Sequence, residues 1–404
     1  MKSSFWWATL ALLFLLAVLR RQGILAAFVI TLALAAAASE VWARYCLSNV
    51  TYRRRLAHSR IAFGEETTLS LEFTNAKPLP LAWLLVRDKY PSKLSLVTSN
   101  PRQKALSQHG MLVSLLSLRW YERVTRTYRL RGEHRGRFQF GPAEISSGDI
   151  FGFQRRRRED AEMDTLTVYP KVVPLSALGL PATRPLGEWL APRRVIEDPL
   201  RFAMVREYVA GDNPRFIHWK TSAHVNSLQT KVFDPSATLA LIISVDVQTL
   251  PLAYECVPEY LEYVICAAAS LAMHALNERH MVGLCANGLG RGGQTWLYLR
   301  PSRHPEQATQ ILSTLAELDS FRGLPFHEML RQLRPQLLFG ASVLAITAFP
   351  QEPLYEVLLT LKEAGHGVFL LTVGDTKPEV PEELASHHLG GLDAWQRLET
   401  LELA

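Results

Sequence analysis

The densest run of reactive side chains in this sequence is Arg206-Glu207-Tyr208-Val209-Ala210-Gly211-Asp212-Asn213-Pro214-Arg215-Phe216-Ile217-His218-Trp219-Lys220-Thr221-Ser222-Ala223-His224. Gly211 and Asp212 suit a turn, Asp212 or Asn213 can cap a helix, and Pro214 suits a first helical position, so the spacing predicts a short helix beginning there. On that helix Arg215, His218, Trp219 and Ser222 fall at i, i+3, i+4 and i+7 and share one polar-aromatic face, with Lys220 and His224 together on another. Asp212 near His218 is a possible acid–base pair, and with Asp246 it would furnish a hydrolase-like cleft, but no nucleophile and no oxyanion loop are marked. His218 and His224 are six residues apart and diverge on a helix, which makes them poor joint metal ligands. The run therefore reads first as a buried polar network bracing the chain, then as a partner-binding surface, and last as catalytic machinery.

Asp246 closes an apolar strand, in Ser244-Val245-Asp246-Val247-Gln248-Thr249-Leu250. An acid at a strand's C-terminal end stands where loops and helix N-termini converge on a ligand crevice. A hard cation needs several oxygen ligands, and only Asp246 is a strong one here, so the sequence predicts neither a metal nor a cofactor. Gly288-Leu289-Gly290-Arg291-Gly292-Gly293 has the letters of a dinucleotide fingerprint. The residues after it, Gln294 to Leu299, favour a strand where the fingerprint needs a helix, so the glycines are read as a hairpin turn. Cys46, Cys256, Cys266 and Cys285 have neither paired nor metal-type spacing and read as reduced thiols.

The elements that must position these residues change character along the chain. From about Thr51 to Pro170, short period-two segments (Thr67 to Phe73, Ala82 to Arg87, Leu112 to Leu118, Val124 to Leu130) alternate with turn residues, as in a small antiparallel sandwich or barrel. Arg155-Arg156-Arg157-Arg158 reads as a solvated loop tip, with a membrane or partner contact as the sharper alternative. From about Leu239 onward, strands (Leu239 to Val245, Met281 to Ala286, Ser342 to Thr347, Val368 to Val373) alternate with helices (Val257 to Glu278, Pro305 to Leu318, Glu352 to Ala364). That alternation predicts an α/β doubly wound domain with a mostly parallel sheet. The organisation expected is two membrane helices over 1–48, a β-rich, sandwich-like domain over 49–175, a linker with the reactive run over 176–235, and the α/β domain over 236–404.

Two apolar runs, Phe5 to Leu19 and Ile24 to Ala38 with Val41-Trp42, flank Arg20-Arg21-Gln22-Gly23 without an internal charge and predict an N-terminal transmembrane helical hairpin. No signal-peptide cleavage site stands out before the second run. Arg44, Arg53, Arg54, Arg55 and Arg60 outnumber the loop arginines, which predicts a bacterial inner membrane protein, multi-pass, with its soluble domains in the cytoplasm. The formal net charge is a modest +6. Basic residues near the anchor fit anionic lipid better than nucleic acid, for which no helix-turn-helix, zinc-finger or basic-aromatic motif is present.

The run from Arg206 to Ala223 closely resembles the signature of the bacterial family known as domain of unknown function 58. Arg135-Gly136-Arg137-Phe138-Gln139-Phe140-Gly141-Pro142 and Gly148-Asp149-Ile150-Phe151-Gly152-Phe153 resemble its recurring segments, as do the paired N-terminal spans. The resemblance implies a von Willebrand factor type A-like α/β domain after a β-rich segment, and a MoxR-type AAA+ ATPase as partner in assembling or maturing other proteins. It implies no enzymatic activity. The type A metal site uses Asp-x-Ser-x-Ser, a later Thr and a later Asp. Asp246 matches, but Gln248 and Leu250 replace the serines, and Ala348-Phe349 follow Thr347.

The expected function is thus that of a membrane-anchored adaptor, not an enzyme. Its partner-binding or structural residues would be Tyr208, Gly211, Asp212, Arg215, His218, Trp219, Lys220 and Ser222, with Asp246 a degenerate metal position. The alternatives are a hydrolase-like enzyme using Asp212, His218 and Asp246, and an envelope-structural protein.

Overall fold

The computed structural model describes residues 3–20, 22–98, 107, 109–150, 154–180, 197–209, 212–235, 240–252, 255–290, 293–338 and 340–400. It comprises two compact units, Met1–Val168 and Tyr169–Ala404.

The first unit opens with helices α1 (Ser3–Leu19) and α2 (Gly23–Tyr45). At 1.5 Å per residue, the 23 residues of α2 extend about 35 Å, more than the roughly 30 Å hydrocarbon core of a bilayer. Ile24, Phe28 and Leu34 are among its exposed apolar side chains, whereas Val29 and Ala43 are buried. Helix α2 is long and apolar enough to cross a membrane, whereas α1 carries a shorter apolar stretch, Trp7–Leu16. The Trp7 indole N–H donates to Glu40 of α2 at 3.1 Å.

Eleven strands follow among the described residues: β1 (Val50–Leu56), β2 (Arg60–Ile61), β3 (Glu66–Asn75), β4 (Leu81–Lys89), β5 (Ser95–Val97), β6 (Met111–Leu118), β7 (Arg123–Arg131), β8 (Gly136–Phe140), β9 (Ala143–Gly148), β10 (Arg155–Asp160) and β11 (Asp164–Val168). They build two antiparallel four-stranded sheets, β1-β3-β7-β5 and β10-β9-β4-β6, and a three-stranded sheet, β2-β11-β8. The β2–β11 pair is parallel, so the region is mixed rather than purely antiparallel. Alternation places Thr67, Leu69, Leu71 and Phe73 of β3 inside. Leu69, Leu71 and Phe73 share one core with Leu84, Val86 and Ile145 of the second sheet and Phe138 and Leu166 of the third.

Arg155 to Arg158 is not a loop tip. It starts the edge strand β10, in antiparallel register with β9 from Arg155 opposite Gly148 to Asp160 opposite Ala143. A run of like charges is tolerated there because one side of an edge strand is open to solvent, and the charge deters pairing with a further strand. Inside the unit, Arg54 is buried, donating to Asp88 at 2.7 Å and Asp164 at 2.8 Å and to the Glu162 carbonyl. Tyr52 donates to the other Asp88 oxygen at 2.7 Å.

In the second unit, residues 169–175 belong to the α/β core and not to the β-rich region. Val173, Leu175, Leu178 and Leu180 are buried in that core, and the Val173 N–H donates to Ser270 Oγ at 2.9 Å. Strands β12 (Glu197–Glu207) and β13 (Gln229–Pro235) form an antiparallel pair, with helix α3 (Trp219–Val225) in their connection. The chain continues as β14 (Ala240–Val245), α4 (Pro258–Asn277), β15 (Met281–Ala286), β16 (Leu297–Ser302), α5 (Gln307–Glu317), α6 (Phe326–Leu333), β17 (Ser342–Thr347), α7 (Glu352–Glu363), β18 (Gly367–Thr372), β19 (Ala385–His388) and α8 (Leu392–Thr400). The sheet order is β16-β15-β14-β17-β18-β19, and every neighbouring pair is parallel except β15–β16.

Both faces of the sheet are covered. Leu241, Ile243 and Val245 of β14 pack with residues of α4, α5 and α8, while Ile242 packs with residues of α6 and α7. This explains the unbroken apolar runs of the central strands, which face helices on each side. The antiparallel β15–β16 pair fits the hairpin reading of the glycine-rich segment, of which residues 291 and 292 lie outside the described residues.

Candidate functional site

The signature run forms the connection between β12 and β13. It is not one helix. Pro214–Phe216 is a single 3-10 turn capped by Asn213, whose side chain accepts the Arg215 N–H at 3.1 Å. Ile217 then returns to extended backbone, bridges to Thr230 and is buried, so its apolar side chain and the Gln229 carbonyl, which accepts the His218 N–H at 2.7 Å, interrupt the helix. Helix α3 begins only after His218, whose Nδ1 accepts the Thr221 N–H at 3.1 Å. With Nδ1 an acceptor, a neutral ring carries its proton on Nε2. The expected shared face of Arg215, His218, Trp219 and Ser222 is therefore not made.

Asp212 is held by Arg206, not by His218 or Arg215. The Arg206 guanidinium donates to both Asp212 oxygens, at 2.8 and 2.7 Å, and the Val209 N–H adds a third bond at 3.0 Å. The Arg206 bonds, then the Val209 bond, hold the Asp212 carboxyl below its usual range. Tyr208 donates through its hydroxyl to the Asp212 carbonyl at 3.3 Å. Ser222, buried, donates to the His218 carbonyl at 3.0 Å and accepts the Gln229 N–H at 2.9 Å, tying α3 to the start of β13. Gly211 lies outside the described residues.

Two groups of residues emerge from the same motif. Tyr208, Asp212, His218 and Ser222 satisfy backbone groups of the connection itself. Arg215, Trp219 and Lys220 are exposed, Trp219 at 68 %, beside the exposed Val209, Val225 and Leu228.

Asp246 occupies a separate network at the C-terminal end of the sheet. Its carboxylate is buried, and Oδ1 accepts the Gln248 N–H at 3.0 Å and the Asn287 amide at 2.7 Å, while Oδ2 accepts the Thr347 hydroxyl at 2.7 Å. Asn287 accepts the Val247 N–H at 2.8 Å, and Arg322 donates to the Gln248 side chain. Burial raises the Asp246 carboxyl to about 6 against the lowering effect of these donors. None of its bonding partners bonds to Asp212 or His218.

The cation site of a type A domain does not fit these residues. The groups converging on Asp246 are an amide N–H, a backbone N–H and a hydroxyl, which present hydrogens where a hard cation needs oxygen lone pairs. Asn287 and Arg206 are the structural partners that sequence spacing left unassigned, whereas Thr347 stands where the family resemblance put the later Thr beside Asp246. Arg206 stood within the signature run itself. Asn287 lies one residue beyond β15 and 41 residues from Asp246, with nothing local to mark it.

Residues 204–377 match the family model described as Protein of unknown function DUF58. The chain is 24 % identical over 213 residues to the Uncharacterized protein YeaD of Bacillus subtilis (strain 168), covering 50 % of this chain and 49 % of that protein. It thus spans about half the length of this curated relative. Among solved structures, native alpha-2-macroglobulin from Escherichia coli aligns with 17 % identity over 30 % of this chain and 24 % of that chain, at a TM-score of 0.24. The major pilin SpaD from Corynebacterium diphtheriae aligns with 8 % identity over 29 % and 35 %, also at 0.24. Likenesses at these scores carry no argument. Residues 204–377 of this chain are thus similar to the DUF58 family, and about half of the chain to one uncharacterized relative.

Proposed function

We propose that this protein is a membrane-anchored, non-enzymatic adaptor whose signature connection binds a partner protein. The observation that carries this reading is the division of labour in the motif: the acid, imidazole and hydroxyl are engaged by the connection's own backbone and by Arg206, and the aromatic and cationic groups are left facing solvent. An exposed tryptophan between cations is the composition of an interaction hot spot, with an acidic partner surface as its complement. The same engagement argues against hydrolysis, since Asp212 and His218 make no hydrogen bond to each other or to Asp246.

In this reading α1 and α2 form a hairpin in the bacterial inner membrane, the soluble units lie in the cytoplasm, and the parallel sheet is a type A-like domain whose cation site has been replaced by the Asp246 network. The partner is a MoxR-type AAA+ ATPase. Sidedness is tested by labelling intact cells with a membrane-impermeant thiol reagent. Cys256 is the informative residue because it is partly exposed, whereas Cys285 is buried. Labelling of Cys256 without permeabilisation would overturn the cytoplasmic placement.

The partner is tested by cross-linking in native membranes and affinity purification, comparing the wild type with Trp219→Ala and Arg215→Ala. An AAA+ ATPase recovered with the wild type and lost with folded variants supports the adaptor. Its absence from the wild type removes the reading.

A further inference from the structure

The end of α2 and the arginine strand β10 meet on one turn of backbone. The carbonyls of residues 46–50 follow the negative end of the α2 dipole, and two basic side chains bind them. Lys77 donates to the carbonyls of Cys46 and, at 2.7 Å, Ser48, while Arg158 donates to those of Val50 at 2.6 Å and Leu47 at 3.4 Å. Strand alternation puts Arg156 on the same face as Arg158, toward this turn, and Arg155 and Arg157 on the other. There Arg157 pairs with Glu144 at 3.4 Å and Arg155 stacks 5.7 Å from the Trp83 ring centroid. Arg156 on β10 and Arg44 in the last turn of α2 are exposed, and neither has an acidic partner among the described residues.

Below this turn an open groove of about 700 Å³ runs along α2 from Leu34 past Trp42 to Tyr45, with Ser48, Lys77 and Leu79 also in its lining. Its lining is almost wholly apolar except at Ser48 and Lys77. The Trp42 indole nitrogen is buried and has no hydrogen-bond acceptor among the described residues. Tryptophan and tyrosine at this level of a spanning helix mark the headgroup region.

We propose that this junction binds one anionic phospholipid, its acyl chain along the α2 groove and its phosphate against Arg156 and Arg44. The inference rests on α2 lying in a bilayer. Lys77 and Arg158 shape the site by fixing the turn. A neutral lipid would leave the two free arginines uncompensated, so the selectivity is for negative charge.

The test titrates phosphatidylglycerol into the full chain in neutral detergent micelles and counts bound lipid by native mass spectrometry. Phosphatidylcholine and inorganic phosphate serve as parallel titrants. Preferential binding of phosphatidylglycerol is expected. Its affinity should fall about fivefold for each arginine removed, hence roughly twenty-five-fold in Arg44→Gln/Arg156→Gln, while the charge-matched Arg129→Gln on β7 is unaffected. Equal binding of phosphatidylcholine, equal saturation by inorganic phosphate, or an equal loss in Arg129→Gln would overturn the site. Carbonate extraction of native membranes reads the anchor separately: release of the protein sinks the membrane reading itself, whereas retention without lipid preference sinks only the headgroup site.

Discussion

Ser39 of α2 donates a hydrogen bond of 2.7 Å to Asp149, 110 residues away, and both side chains are buried. The other Asp149 oxygen accepts the Gln154 N–H at 2.7 Å, and its carbonyl accepts the Trp83 indole at 3.3 Å. A residue of the apolar helix is therefore part of the β-rich unit's polar interior, which makes the helix end a fixed mount instead of a loose tether.

Removing that tie should loosen the mount. Ser39→Ala takes a donor from a buried carboxylate, a loss on the order of 1–3 kcal/mol. The expected outcome is a lower melting temperature of the full chain in detergent and faster protease cleavage between Tyr45 and Val50, both restored by Ser39→Thr. Unchanged melting and cleavage would show that the bond does not hold the joint.

Arg54 should be far less tolerant than the exposed arginines around it. It is the buried hub between Asp88 and Asp164, so Arg54→Met strands two carboxylates and should cost about 3–5 kcal/mol. Arg53→Met, the exposed neighbour on the same strand, should fall within about 0.5 kcal/mol of the wild type. Denaturant unfolding followed by circular dichroism compares them, and equal stabilities would remove the hub from the account.

Within the signature, stability and binding should separate. Ser222→Ala orphans the buried Gln229 N–H and should destabilise the second unit by about 1–3 kcal/mol. Trp219→Ala removes an exposed ring, so melting should be unchanged while partner capture is lost. If Trp219→Ala unfolds the unit, or Ser222→Ala leaves it intact, the assignment of brace and contact is reversed.

Much of this architecture was readable from residue order because burial imposes a period. The alternation of Thr67 to Phe73 marks a half-buried strand, and the strands expected at Met281 to Ala286 and Ser342 to Thr347 coincide with β15 and β17. Local pattern failed where tertiary partners decide. Pro214 and its cap announce a helix, but the pairing of Ile217 and His218 with β13 ends it after one turn. Four consecutive arginines look like a loop until β9 offers them a partner strand. In the same way Asp212 was legible as a key residue and Thr347 as a companion of Asp246 through the family resemblance, whereas Arg206 as the partner of Asp212 and Asn287 as a partner of Asp246 depend on contacts that spacing does not encode.

The Asp246 network makes a pH prediction with a definite sign. Burial raises the folded-state carboxyl to about 6, above the unfolded value of about 3.9, so the folded state binds the proton more tightly. The resulting stabilisation is fully present below about pH 4 and is lost as pH rises through about 6, a swing on the order of 3 kcal/mol. Asp246→Asn imitates the protonated acid: its carbonyl can accept from Gln248 and Asn287, and its amide can donate to Thr347 Oγ1 if that hydroxyl turns away. The variant should match the wild type near about pH 4 and exceed it by up to about 3 kcal/mol near about pH 8. Denaturant unfolding of both proteins across this range gives their stability difference directly, so other carboxylates that titrate in both proteins cancel. A difference that does not change with pH would mean that Asp246 is ionised throughout, held charged by its three donors and Arg322.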